Sequence, residues 1–179
     1  MTFEREISQP KISSTYISQG DFSVCCNSGD LISTILGSCV ATCLWDPVAR
    51  VGGMNHFLLP DGTQTPNEQA SSFGANSMEL LINALIKAGA RRDRIRAKVF
   101  GGAEMYKGLT DAGARNSEFV LSYLQTEEIP LDGQSLGGSL ARRIEFDPIS
   151  GRARQKLVPD ACIQEKVVVE VATNDLELF

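Results

Sequence analysis

Apolar residues along this chain fall mostly in short alternating or continuous runs, and only two stretches show helical spacing. Leu31-Ile-Ser-Thr-Ile-Leu36 and Cys39-Val-Ala-Thr-Cys-Leu-Trp45 read as two extended segments joined by a tight Gly37-Ser38 corner. Asp46-Pro47 marks a turn, and Val51 to Leu59 is a third apolar stretch, closed by Pro60-Asp61-Gly62 and a polar loop to Gln69. Met78, Leu81, Ile82, Leu85 and Ile86 then recur at helical spacing, with Ser71 or Ser72 as the expected cap and Gly89 as the stop. Ile95 to Phe100 predicts a strand running into Gly101-Gly102. A second helix is expected with Asn116 as its N-cap, carrying Phe119, Val120, Tyr123 and Leu124 on one face and ending before Pro130. The last third predicts strands over Ala141 to Phe146, from the Asp147–Gly151 turn to Val158, and over Val167 to Val171. Strands outnumber helices, which predicts a layered α+β fold of packed sheets flanked by helices.

The first nineteen residues are polar and serine-rich and read as a loose arm or a late-docking strand, leaving one domain over residues 20–179 with no repeat or linker inside it. A chain of 179 residues, 42% apolar and 22% charged, is long enough to bury a sizeable core without disulfides. The formal net charge of −5 argues against a nucleic-acid binder. No apolar run approaches the roughly 20 residues of a membrane-spanning helix, and the N-terminus lacks a basic-then-apolar leader, so no membrane insertion is expected and the cytoplasm is the expected compartment. Cys25, Cys26, Cys39, Cys43 and Cys162 should then be free thiols. Arg91-Arg-Asp-Arg-Ile-Arg-Ala-Lys98 is the one dense basic run; it reads as a solvated face or, failing that, as a surface for an acidic protein partner.

Candidate chemistry is bounded by a single histidine. Cys39 and Cys43 with His56 do not make a zinc pattern, because the only other close pair, Cys25-Cys26, would point to opposite faces of a strand, and no metal is expected. Cys39 follows a glycine corner, which lets a nucleophile project from a strand end with backbone N–H groups nearby to hold an oxyanion. His56 is the sole imidazole able to act as its base, the Cys–His logic of acyl-transfer enzymes. On residue type alone, a cysteine in an apolar strand is more often inert core and a lone histidine more often structural. Cys43, Trp45 and Phe57 are expected to be packing residues.

The string Leu36-Gly-Ser-Cys-Val-Ala-Thr-Cys-Leu-Trp-Asp-Pro-Val-Ala-Arg-Val-Gly-Gly-Met-Asn-His56, the ending His-x-x-Leu-Pro60, Gly101-Gly-Ala-Glu-Met105 and Gly113-Ala-Arg-Asn116 resemble the CheD family of chemoreceptor glutamine deamidases. The resemblance runs from about Gly20 to about Val158 and takes in Gly137-Gly138 and Arg142. It implies Cys39 as nucleophile and His56 as base and later acid. The family's third residue is a threonine six positions before the cysteine; here that position is Ser33, so the resemblance assigns Ser33 the role of orienting the imidazole, and Thr34 is expected on the opposite face. Gly37, Ser38, Gly101, Gly102 and Arg115 are placed in the substrate or oxyanion region, with Arg115 binding an acidic receptor side chain or pairing with a carboxylate of this chain. The implied reaction needs no cofactor. It converts receptor glutamines to glutamates through a Cys39 thioester, with esterase action on methylated receptors as a side activity. The implied partners are chemoreceptors and a CheC-type phosphatase, and the rival reading is a non-catalytic module that regulates either one.

Overall fold

A computed structural model of the chain describes residues 13–60, 67–105 and 111–159. In chain order its elements are β1 (Ser14–Tyr16), β2 (Phe22–Cys25), β3 (Leu31–Leu36), β4 (Val40–Asp46), β5 (Val51–Phe57), α1 (Asn67–Lys87), β6 (Arg96–Gly101), α2 (Ala112–Thr126), β7 (Leu131–Leu136), β8 (Ala141–Asp147) and β9 (Arg152–Val158), with a short 3₁₀ turn at Arg92–Arg94. The strands form a four-stranded sheet in the order β1-β3-β8-β9 and a five-stranded sheet in the order β2-β5-β4-β6-β7. Both are mixed: β1 runs parallel to β3 and β7 parallel to β6, while the other pairs are antiparallel.

The five-stranded sheet is the middle layer, which explains why β4 and β5 are apolar on both faces. Along β4, Val40 and Leu44 point to the helices, where they meet Phe57, Met78, Leu81, Ile82, Leu85, Val120 and Leu124. The alternate residues Ala41, Cys43 and Trp45 point to the four-stranded sheet and pack with Ile32, Leu36, Met54, Phe100, Ile144 and Phe146. Burying a side chain of this size contributes about 1.5–3 kcal/mol each, so two apolar seams hold the three layers together. Trp45, Phe57 and Cys43 are all buried packing residues, and burial pushes the Cys43 thiol far above the ordinary range.

Several boundaries differ from the sequence reading. Helix α1 begins at Asn67, so Ser71 and Ser72 lie inside it, and the Ser72 hydroxyl donates back to the Glu68 carbonyl (2.8 Å) instead of capping. Helix α2 begins at Ala112, which places Asn116 in its interior and on its buried face rather than at its cap. The polar strand β7 was not anticipated. Of the two readings of residues 1–19, the docking strand is the one seen at its end: β1 pairs with β3, Leu31 N donates to Ser13 O (2.8 Å), and Ile17 is buried in the inter-sheet core. The folded part therefore starts before Gly20. The strand expected over Val167 to Val171, and Cys162, lie outside the described residues; Cys25, Cys26, Cys39 and Cys43 form no disulfide among the described residues.

The basic run is not an open cationic patch. Arg91 pairs with Asp93, Arg92 with Glu79 and Glu127, Arg94 with Asp46, and Arg96 with Asp132, while Lys98 donates to the Gly151 carbonyl and lies over the Trp45 ring. The Asp46 carboxylate is fully buried and accepts from the N–H groups of Val48, Ala49 and Arg91 and from Arg94 Nε. Burial alone would raise its pKa, but these donors outweigh it and hold the carboxyl below its usual range. No helix among the described residues is long and apolar enough to cross a membrane.

Candidate active site

The register of β4 and β5 sets the relative places of Cys39 and His56. Ala41 is opposite His56, and Cys39, two residues before Ala41 and packed in the same inter-sheet core, falls diagonally across from the imidazole on the same face. The two residues thus come from neighbouring antiparallel strands of one sheet, whereas the residue that touches the imidazole comes from the other sheet. Strand β3 alternates half-buried and buried, with Ile32, Thr34 and Leu36 facing inward and Leu31, Ser33 and Ile35 outward. Thr34 Oγ1 lies 2.8 Å from His56 Nδ1, and both groups are buried.

This geometry corrects the assignment of Ser33. Its hydroxyl faces away from the imidazole and lies 3.5 Å from the Ser14 hydroxyl. Thr34 takes the position against the ring because it shares the inward parity of Ile32 and Leu36.

The hydrogen-bond chain fixes the tautomer. A threonine hydroxyl has one hydrogen, and Thr34 Oγ1 donates it to the Ile17 carbonyl at 2.7 Å. The same oxygen must therefore accept from His56, so Nδ1 carries the ring proton and Nε2 bears the lone pair. Nε2 is buried and has no hydrogen-bond partner among the described residues. Burial pulls the His56 pKa down to about 4, against smaller opposing contributions from Asp21 and the Ile17 carbonyl. The ring is consequently neutral near pH 7 and ready to take a proton at Nε2.

The loop around Cys39 is held on three sides. Gly102 N donates to Cys39 O (2.8 Å) and Ala103 N to Gly37 O (2.9 Å). Gly101 has a φ of 116° and Gly102 a φ of 63°. A Cβ on Gly101 would lie 2.1 Å from the Cys39 carbonyl oxygen, and one on Gly102 would lie 2.0 Å from Ser117 Oγ and 2.8 Å from Gly113 O. These two glycines are thus required by the packing of β6 against the Cys39 loop and the first turn of α2. Arg115, placed in the substrate region by the sequence reading, donates through Nη2 to the Pro60 carbonyl (3.2 Å) and so ties α2 to the end of the His56 segment.

Asn116 is the positioning residue that the sequence reading missed. It is buried, its Oδ1 accepts from Leu59 N (2.9 Å), and its Nδ2 donates to Ser38 O (2.9 Å). One carboxamide thereby ties the residue before the cysteine to the segment three residues after the histidine. The signal was present: Asn116 stands in line with Val120 and Leu124 on the buried stripe of the helix, where a polar residue needs partners.

The segment Ile17–Asp21 straps the site from outside. Gly20 N donates to His56 O (2.8 Å), His56 N donates to Asp21 O (3.0 Å), and the Cys39 thiol lies 3.6 Å from Gln19 Oε1. A buried thiol and a neutral imidazole on one face are the groups that nucleophilic attack on an acyl carbon uses.

Comparison with known proteins shows the family. Residues 58–157 match the family model CheD, described as CheD chemotactic sensory transduction. A protein of Caulobacter sp. strain K31 named probable chemoreceptor glutamine deamidase CheD is 50% identical over 172 residues, covering 92% of each chain. Relatives of the same name in Rhizobium leguminosarum bv. trifolii and Agrobacterium fabrum are 48% and 46% identical, covering 87% and 92% of this chain and 85% and 95% of their own. Among solved structures, the hypothetical protein YfiH of Bacillus licheniformis gives a TM-score of 0.42 at 15% identity, over 64% of this chain and 50% of that one. The chain belongs to the CheD family of chemotactic sensory transduction proteins.

Proposed function

We propose that this chain is a chemoreceptor glutamine deamidase that works through a thioester on Cys39. The observation that carries the reading is the chain of hydrogen bonds from Ile17 O through Thr34 to His56, which leaves Nε2 unprotonated in the same layer as the thiol. A receptor glutamine enters with its carboxamide carbon against Sγ. The thiol gives its proton to His56 Nε2 as sulfur bonds to that carbon, and backbone N–H groups of the Gly37-Ser38-Cys39 corner receive the developing oxyanion. The imidazolium returns the proton to the leaving nitrogen, the C–N bond breaks, and ammonia departs. A water molecule, deprotonated by the same Nε2, then attacks the thioester, the C–S bond breaks, and a glutamate remains. The substrate glutamines lie on the receptor's cytoplasmic helices, which places the reaction in the cytoplasm.

The test is incubation of the purified chain, and of its Cys39→Ala variant, with a chemoreceptor cytoplasmic fragment, followed by peptide mass spectrometry. Conversion of glutamine to glutamate by the wild type and not by the variant is expected. Equal conversion by both, or none by either, overturns the reading.

A further inference from the structure

The residue over the thiol is itself a glutamine, the side chain on which such an enzyme acts. Gln19 Oε1 lies 3.6 Å from Cys39 Sγ. A carbon–oxygen double bond is about 1.2 Å long, so the carboxamide carbon of Gln19 lies within about 5 Å of the sulfur, and a rotamer change of an exposed side chain suffices to bring it to the roughly 3–3.5 Å of an attack geometry. The backbone on either side is fixed while the side chain is not. Ile17 O is held by Thr34 Oγ1, Ile17 N by Ser33 O, Gly20 N by His56 O, and Asp21 O by His56 N. Gln19 is therefore presented to the sulfur by hydrogen bonds to the very residues, Thr34 and His56, that prepare the base.

We propose that Cys39 also deamidates Gln19 of its own chain, so that the strap over the active site carries an internal substrate. The step rests on the thiol chemistry proposed above and balances in the same way. Sγ bonds to the Gln19 carboxamide carbon, ammonia leaves with the proton held by His56, and water cleaves the resulting thioester. The products are a side-chain carboxylate at position 19, ammonium and the regenerated thiol. Tethering replaces a bimolecular encounter with an intramolecular one, which favours this glutamine over any free one at ordinary concentrations.

The experiment uses the full chain, with wild type and Cys39→Ala expressed and purified in parallel, so that conversion completed before purification is read as well as conversion in the tube. Peptide mass spectrometry then follows position 19 in time, with Gln125 and Gln155 as internal references and a chemoreceptor cytoplasmic fragment in a parallel tube. The expected result is conversion at position 19 alone, at a rate independent of protein concentration, and none in Cys39→Ala or Cys39→Ser. Receptor conversion with position 19 still glutamine overturns the self-deamidation and leaves the receptor reading intact; no conversion of either overturns both. Conversion at position 19 that persists in the Cys39 variants, matches the reference glutamines, or rises in rate with protein concentration also overturns it.

Discussion

Thr34 Oγ1 stands 2.8 Å from His56 Nδ1 while giving its own hydrogen to the Ile17 carbonyl, so a neutral hydroxyl, not a carboxylate, sets the tautomer of the only histidine in the chain. The relay links the four-stranded sheet, through β3, to the strand pair beside Cys39 and His56. Its first consequence concerns which β3 hydroxyl matters. Thr34→Val keeps the shape and removes the acceptor, and it should lower kcat for receptor deamidation by roughly 10- to 100-fold, a part of the effect general acid–base catalysis supplies. Ser33→Ala should stay within about twofold, since its hydroxyl faces away from the imidazole. Steady-state ammonia release by the two variants checks this.

Burial of His56 couples acidity to stability. Its folded pKa of about 4 lies below the roughly 6.5 of an unfolded imidazole, so between these values the unfolded chain binds the proton first. The contribution is fully present above pH 6.5 and is lost as pH falls to 4, by about 3 kcal/mol over that window. Urea midpoints at pH 7, 5 and 4 should trace that fall, and His56→Gln should flatten it. The depressed carboxylates Asp46, Glu79 and Asp147 lose their contributions mostly at lower pH, below their ordinary values.

Asn116 predicts a linked loss of stability and activity. Asn116→Ala removes the hydrogen bonds to Leu59 N and to the Ser38 carbonyl, and should cost about 1–3 kcal/mol, chiefly for the buried Leu59 N–H that loses its acceptor. Asn116→Asp keeps an acceptor for Leu59 N but sets a second oxygen against the Ser38 carbonyl in a buried position, so it should lower the urea midpoint and slow alkylation of Cys39 by iodoacetamide. Equal alkylation rates in Asn116→Asp and wild type, with wild-type stability, would contradict the positioning role.

The basic run divides by partner. Arg94 faces the fully buried Asp46 carboxylate, and Arg94→Ala should cost about 2–4 kcal/mol because it strips a cation from a buried anion. Arg91, whose pair with Asp93 is exposed, should change stability by less than about 1 kcal/mol when its side chain is replaced. Thermal or urea unfolding of the two variants separates these outcomes.

Much of this was readable from residue order. The continuous apolar runs of β4 and β5 and the Gly37-Ser38 corner between β3 and β4 announced two neighbouring strands with Cys39 and His56 at compatible positions. The parity of β3 was harder, because Leu31 and Ile35 are as apolar as Ile32 and Leu36, and only the tertiary arrangement shows which set faces the second sheet. The early start of α1 and the strand β7 were hidden for a related reason: their residues are polar, and pairing with β6, not burial of an apolar face, makes Leu131–Leu136 a strand. The place of Gln19 over the thiol depends on β1 docking parallel to β3, a contact between segments that no local pattern encodes.

Because the chain contains one histidine, the state of the His56 ring, neutral with its lone pair on Nε2, can be read in isolation. Nitrogen-15 spectra of the ring-labelled protein, titrated through the acid range, report one imidazole without assignment. A protonated Nδ1, an unprotonated Nε2 and a titration midpoint near 4 are expected. A ring protonated at Nε2, or one that titrates near the ordinary imidazole value, would contradict this state.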